Sequence, residues 1–235
     1  VVPEQESAPD DAANDNECRD RRIAHLITGS AARARRCQDR ASDIGLPVCL
    51  EEAGAASLHH PAADAAGDAR LLRAAVELAP AGMEIKTYTG LGDIPPYNED
   101  VFAKGDPEPV AVMKGAISEA DAILIATPEY NYGVPGVLKN AIDWASRPAG
   151  KSVLNRKPAA IMGCSPGLGG TIRVQHALRQ TFVFTETYVM VQPEIKIPSA
   201  APLFDSSGRL TDDNTRQHLK KFLEAFVVWV QRFKS

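Results

Sequence analysis

Residues 121–147 read DAILIATPEYNYGVPGVLKNAIDWASR, and this stretch constrains the fold more than any other. Its apolar run, residues 122–126, is short and branched, as in a strand buried on both faces. Thr127 and Pro128 break that run into a polar, aromatic loop. Pro135 and Gly136 then open a helix, with Val134, Val137, Leu138, Ala141, Ile142 and Ala145 at helical spacing. Strand, loop and helix in this order belong to a parallel α/β sheet. Ligands bind there beyond the carboxyl ends of strands, so residues 128–133 stand at a ligand position.

The flanking sequence extends the alternation. Residues 71–78 form an amphipathic helix stopped by Pro80 and Gly82, and residues 83–89 alternate as a strand. A Gly- and Pro-rich loop covers residues 90–100, and residues 107–120 return to helical spacing through Val110, Met113, Ile117 and Ala120. Residues 158–163 are a second short buried strand, emptying into a loop of small residues at 164–170 and a helix over 171–181. The last strand is read at 187–191, a loop at 195–206 and an amphipathic helix at 211–233. Alternation of this kind implies right-handed crossovers and a three-layer, doubly wound α/β fold with a parallel sheet.

The beginning of the chain is of another kind. Residues 1–85 contain no Phe, Tyr, Trp or Lys, and residues 1–20 are rich in Asp, Glu, Ala and Asn, with little to bury. The division expected is an irregular N-terminal segment over 1–70 and the main domain over 71–235. Residues 23–28 are a strand candidate, followed by Gly29 and Ser30; residues 46–50 are too short to assign. His59 and His60 are adjacent, so an extended chain points them to opposite sides, and no companion at ligand spacing supports a metal.

Several function classes recede on composition. A net charge of −4 and the lack of a basic stripe with interleaved aromatics argue against nucleic acid. No apolar run reaches the roughly 20 residues that span a bilayer, and the acidic start is not a secretory signal. Cys18, Cys37, Cys49 and Cys164 show no paired metal-ligand spacing, and free thiols in a cytoplasmic protein are the preferred reading.

Chemistry is expected in two loops. Residues 128–133 offer Glu129, two tyrosines, Asn131 and Gly133 after a buried strand; tyrosines supply flat amphipathic faces for a planar ligand. The competing reading is a tight turn whose aromatics cap the sheet. Residues 164–170 pair Ser165 with glycines near a helix start, which suits a polar or anionic ligand edge. The loop lacks the Lys-Ser/Thr ending of a triphosphate loop and the spacing of a dinucleotide fingerprint. Cys164 would be a nucleophile only with a base nearby; His176 is the candidate, against the commoner state of an inert packed thiol. Trp144 reads as core and Asp143 as helix surface.

With these residues in view, the chain from Leu71 to about Trp229 resembles the NADPH-dependent FMN reductases of flavodoxin-like fold, the branch that includes quinone, chromate and azo-dye reductases. PEYNYGVPGVLKNAIDW at 128–144 is almost the family's signature; PPYNED at 95–100, the loop at 163–170 and GRLTD at 208–212 match further segments. The resemblance implies non-covalently bound FMN, NADPH or NADH as electron donor, a two-step transfer to a small-molecule acceptor (a quinone, metal oxyanion or azo compound), and a homodimer or homotetramer. Carried over, Pro128, Glu129, Tyr130 and Asn131 line the isoalloxazine; Ser165, Gly167 and Gly169 edge its polar rim; Tyr97 and Asn98 border the site near a dimer interface. No catalytic side chain and no metal are required, because the flavin carries the chemistry.

One part of the family pattern is absent. A loop Gly-Ser-x-Arg-x-x-Ser-x-Asn should precede the first helix and hold the FMN phosphate. Residues 57–70 instead read SLHHPAADAAGDAR. Gly29 and Ser30 are an imperfect substitute, about 40 residues before Leu71. A long insertion, loss of strand and loop, or an out-of-frame first seventy residues would each produce this pattern. The alternative to an FMN enzyme is therefore a degenerate flavodoxin-like protein without FMN, acting as a binding module.

Overall fold

The computed structural model describes residues 48–51 and 67–234, all of which fall in one compact unit, Ala41–Ser235. In chain order the elements are β1 (Val48–Glu51), α1 (Gly67–Glu77), β2 (Lys86–Tyr88), α2 (Glu99–Phe102), α3 (Glu108–Glu119), β3 (Ile123–Ala126), α4 (Gly136–Ala145), β4 (Pro158–Cys164), α5 (Ile172–Phe184), β5 (Tyr188–Val189), β6 (Ile195–Ile197) and α6 (Asp213–Gln231). The sheet is parallel throughout, in the order β2-β1-β3-β4-β5, with β6 also on β4. That is the flavodoxin-like order, whose ligand crevice opens where β1 and β3 diverge at their carboxyl ends.

Side chains of the inner strands alternate between two cores. Ile123 and Ile125 of β3, with Ala159 and Ile161 of β4, face the core shared with α3, α4 and α5. Leu124 and Ala126, with Ala160, Met162 and Cys164, face the core built from α1 and α6. Both faces are covered, which is why these strands read as unbroken apolar runs rather than alternating ones.

Several boundaries differ from the sequence expectation; the strand expected over 187–191, for one, shortens to Tyr188–Val189, and the helix expected over 171–181 runs to Phe184. Helix α1 begins at Gly67, four residues before Leu71, with Asp68 in its first turn favoured by the positive end of the helix dipole. The strand expected over 83–89 shortens to Lys86–Tyr88. Ile195–Ile197, read as loop, is a strand. β5 pairs with the start of β4 (Pro158↔Tyr188) and β6 with its end (Met162↔Ile195, Cys164↔Ile197), so the two share one edge in succession. Pro193 between them has no ladder donor, and its interruption hid the continuation. The strand that pairs with both β2 and β3 is Val48–Glu51. It comes from the stretch judged too short to assign, because a strand held from both sides requires little intrinsic propensity. The strand candidate at 23–28, Gly29, Ser30, His59 and His60 lie outside the described residues.

Charge near β6 has a measurable consequence. A hydrogen bond from the Lys196 ammonium, opposed by partial burial and assisted by the charges of Lys196, Arg179 and His176, holds the Glu194 carboxyl below its ordinary range. A depressed carboxyl stabilises the fold above its unfolded value, about 4.3, and loses that contribution as pH falls through the folded value. Denaturant midpoints should place wild type above Glu194→Gln at about pH 6, with the gap closing towards about pH 3. A gap that stays constant across that range would contradict this assignment.

Candidate functional site

The loop after β3 is a tight turn, but its rings do not cap the sheet. Tyr130 N–H donates to the Gly133 carbonyl at 3.3 Å and Gly133 N–H to the Tyr130 carbonyl at 2.9 Å. The two residues between them, Asn131 and Tyr132, have φ of 49° and 64°. This is the left-handed pair of a type I′ turn. Asn tolerates that conformation, whereas a Tyr there costs about 1–2 kcal/mol. Both tyrosine rings are exposed, Tyr130 to 56% and Tyr132 to 73%.

The turn is secured from beneath by Glu129. Its Oε2 accepts from the N–H groups of Arg173 (2.8 Å) and Val174 (3.1 Å), and its Oε1 from Arg173 Nη1 (3.0 Å). These are first-turn amides of α5, which lack intrahelical partners. Thr171, at the cap position, makes no side-chain cap bond. Glu129 therefore caps α5 from 44 residues away, favoured by the positive end of the helix dipole. The Arg173 guanidinium in turn lies 3.9 Å from the Tyr132 ring centroid. Carboxylate, helix start, guanidinium and ring form one connected support.

Around the end of β4 the chain approaches too closely for side chains at two glycines, Gly163 in β4 and Gly67 at the start of α1. A Cβ on Gly163 would lie 2.4 Å from the Thr127 carbonyl oxygen, and one on Gly67 would lie 2.8 Å from Cys164 Sγ. Ser165 follows; its Oγ accepts from Gly167 N–H at 3.0 Å, and its carbonyl accepts from Ala200 N–H at 3.0 Å. Cys164 is buried among these contacts. Burial first, and the Asp68 charge second, push its thiol well above the ordinary range, with Arg70 opposing. His176 is exposed and makes no hydrogen bond to it among the described residues. Cys164 is packing, not a nucleophile.

These elements enclose a cleft of about 450 Å³, within the usual range for small-molecule sites of about 300–1,000 Å³. Of the residues expected from sequence, Pro128, Glu129, Tyr130 and Ser165 line it together. Asn131 is at the adjoining turn tip. Gly167 and Gly169 are exposed in the next loop, outside the cleft lining. Tyr97 and Asn98 are elsewhere. Tyr97 N–H donates to Asn140 Oδ1 at 2.8 Å, and its ring packs edge-on against Trp144 at 4.9 Å. Asn98 Oδ1 caps α2 by accepting from Asp100 N–H at 2.8 Å. Asn140 and Trp144 both donate to the Pro95 carbonyl, at 2.9 and 2.8 Å. The conspicuous Asn and Trp of α4 thus fasten the 94–97 loop. Asp143 pairs with Lys139 on the exposed helix surface at 2.6 Å, a contact of small energetic weight.

The cleft also contains residues with no local sequence signal: Asp68 and Arg70 from the first turn of α1, and Phe204 from the loop after β6. Their proximity to residues 128–130 follows only from the crossover of α1 over the sheet and from the return of the chain after β6.

The geometry can be set beside known proteins. A family model described as NADPH-dependent FMN reductase matches residues 67–202. The chain belongs to the NADPH-dependent FMN reductase family. It is 48% identical over 164 residues to an NAD(P)H-dependent FMN reductase of Pseudomonas aeruginosa, covering 70% of this chain and 88% of that one. It is 45% identical over 162 residues to a quinone reductase of Pseudomonas putida, covering 69% and 86%. Among solved structures it is similar to FerB, a flavoenzyme NAD(P)H:(acceptor) oxidoreductase of Paracoccus denitrificans, with a TM-score of 0.69, 34% identity and coverage of 80% and 98%. Membership makes this chain an NAD(P)H-dependent oxidoreductase of flavodoxin-like fold that uses FMN; the reading as a binding module without flavin is not favoured. The family match starts at Gly67, the first residue of α1.

The residues present fit that cofactor. Exposed tyrosine rings and loop backbone stand where the planar ring is expected, and a cationic side chain, Arg70, lines the cleft beside them. No described helix is long and apolar enough to cross a membrane.

Proposed function

We propose that this reductase transfers electrons from NADPH or NADH to quinone-type small molecules, with the tyrosine turn of residues 128–133 as the seat of the flavin ring. The observation that carries this reading is the strained, outward-facing turn locked to α5 by Glu129. Strain of this kind persists where the surroundings enforce it, and it collects at ligand clamps.

FMN, when bound, supplies the hydride acceptance and electron release. The protein's own work is to bind, orient and exclude water. In this reading Pro128, Tyr130 and Asn131 meet the ring through faces and backbone groups. Glu129 acts through its backbone, because its carboxylate is committed to α5. Ser165 offers its hydroxyl at the cleft wall, with the amides of Gly167 and Gly169 next to it in the loop. Tyr97 and Asn98, fastened by Asn140 and Trp144, present a firm edge to a second copy in a homodimer or homotetramer. Acceptors are quinones first, since several relatives are named quinone reductases, with metal oxyanions and azo compounds as further candidates. The buried free thiol of Cys164 suits a reducing, cytoplasmic setting.

The test is rapid mixing without oxygen. Protein loaded with FMN should bleach at the flavin band on addition of NADPH or NADH, and benzoquinone should restore the band in a separate second step. Bleaching without restoration by any quinone would remove the acceptor class. Failure of the purified chain to take up FMN at all would remove the turn as a flavin seat.

A further inference from the structure

The sequence pattern lacks the arginine-bearing loop that should precede α1, yet an arginine in α1 itself reaches the cleft. Arg70 lines it together with Asp68, Pro128, Tyr130, Ser165 and Phe204. Its guanidinium carbon is 6.0 Å from the centroid of the Phe204 ring. Its Nε is buried and has no hydrogen-bond partner among the described residues, and no ion pair among those residues involves it. The opposing carboxylate in the same turn, Asp68, accepts from Cys164 N–H at 3.2 Å.

A buried donor without an acceptor is costly, and the cost is largest for a charged group. A guanidinium is planar and carries its N–H groups in a fixed fork, which fits the oxygens of a phosphate better than a single carbonyl. Because Arg70, Pro128 and Tyr130 line the same cleft, one ligand with a planar end and a phosphate end can engage both.

We propose that Arg70 is the cationic anchor for the phosphate of FMN in this chain, replacing from within α1 the arginine that the family pattern places in the preceding loop. The proposal rests on the flavin reading above and adds to it a particular residue and a particular ligand group. Phe204 keeps the guanidinium oriented through cation–π contact, and the phosphate meets the end of the guanidinium fork, since Nε is enclosed against the Gly208 turn, out of a ligand's reach. Asp68 opposes the anion electrostatically, so the affinity gained by Arg70 is what makes phosphate binding net favourable in this turn.

The experiment compares FMN with riboflavin, which has the same ring and ribityl chain but no phosphate, by fluorescence-quenching titration of the full chain. Wild type should bind FMN more tightly than riboflavin, and inorganic phosphate should compete with FMN but not with riboflavin. Arg70→Ala should weaken FMN binding by roughly 10- to 100-fold and leave riboflavin binding unchanged. Arg70→Lys should retain part of the preference, since it keeps the charge and loses the fork. Equal loss of both flavins in Arg70→Ala indicates a structural role and overturns the assignment, as does an FMN affinity that does not change. If wild type binds both flavins with equal strength, the phosphate is not held and Arg70 has no such role. If wild type binds neither, the flavin seat itself fails and this inference falls with it.

Discussion

Trp144→Ala should lower the free energy of unfolding by about 3–5 kcal/mol. The indole is fully buried, at 0% exposure, in the core shared by α3, α4 and α5. Truncation removes the apolar area, leaves a cavity and strips the edge-on partner from Tyr97. It also deprives the Pro95 carbonyl of a 2.8 Å donor. Asn140 keeps its own bond to that carbonyl at 2.9 Å, so the 94–97 loop is loosened rather than released. Trp144→Phe separates the contributions: most of the volume stays and the donor goes, for an expected cost of about 1–2 kcal/mol. Equilibrium urea unfolding of the three proteins, with unchanged slopes, measures both steps. A cost below about 1 kcal/mol for Trp144→Ala would mean that the site collapses around the loss and that α4 does not anchor the loop through this residue.

Glu129→Ala ranks next, and its effect falls on both stability and flavin binding. It leaves the α5 amides of Arg173 and Val174 without their acceptor. It also removes the carboxylate that favours the positive end of that helix. A cost of about 2–3 kcal/mol is expected, because bonds to charged groups contribute about 1.5–3 kcal/mol and unmet buried donors are penalised further. The turn then loses its tie to α5, and FMN affinity should fall at least about tenfold as the tyrosines lose their fixed positions. Arg173→Ala distinguishes helix capping from the surface ion pair. It keeps both backbone amides bound to Glu129 and removes a half-exposed guanidinium, so it should cost less than about 1 kcal/mol. It also removes the support beneath Tyr132, so a modest loss of FMN affinity without a matching loss of stability is the expected signature. Equal destabilisation by Glu129→Ala and Arg173→Ala would show that the ion pair dominates and the cap matters little.

Glu129 also illustrates what a signature motif hides. In the string PEYNYG it reads as a ligand-facing acid, because it is charged and lies in the ligand loop. Its carboxylate is instead turned to the start of a helix that begins 43 residues later in the chain. Local sequence carries no sign of that partner, since the contact depends on β3 and β4 lying side by side in the sheet. The same holds for Tyr97: its position in a matching loop suggests a site residue, and the fold makes it a packing partner for Trp144.

The elements that sequence determined by itself are those whose periodicity is strong. Residues 122–126 and 158–163 had to be buried strands because both of their faces are apolar, and helices α3, α4 and α6 had to be amphipathic at 3.6-residue spacing. From the alternation of strand and helix the doubly wound sheet follows, and from the sheet the ligand position of residues 128–133. What only tertiary structure decided are the non-local pairings. Val48–Glu51 and Ile195–Ile197 carry too few residues to declare themselves as strands, and become so because neighbouring strands hydrogen-bond to them. Arg70 and Phe204, far apart in the chain, come to share one cleft with Pro128 and Ser165. Periodicity records how each element meets the core, and it carries no record of which loops the crossovers bring together.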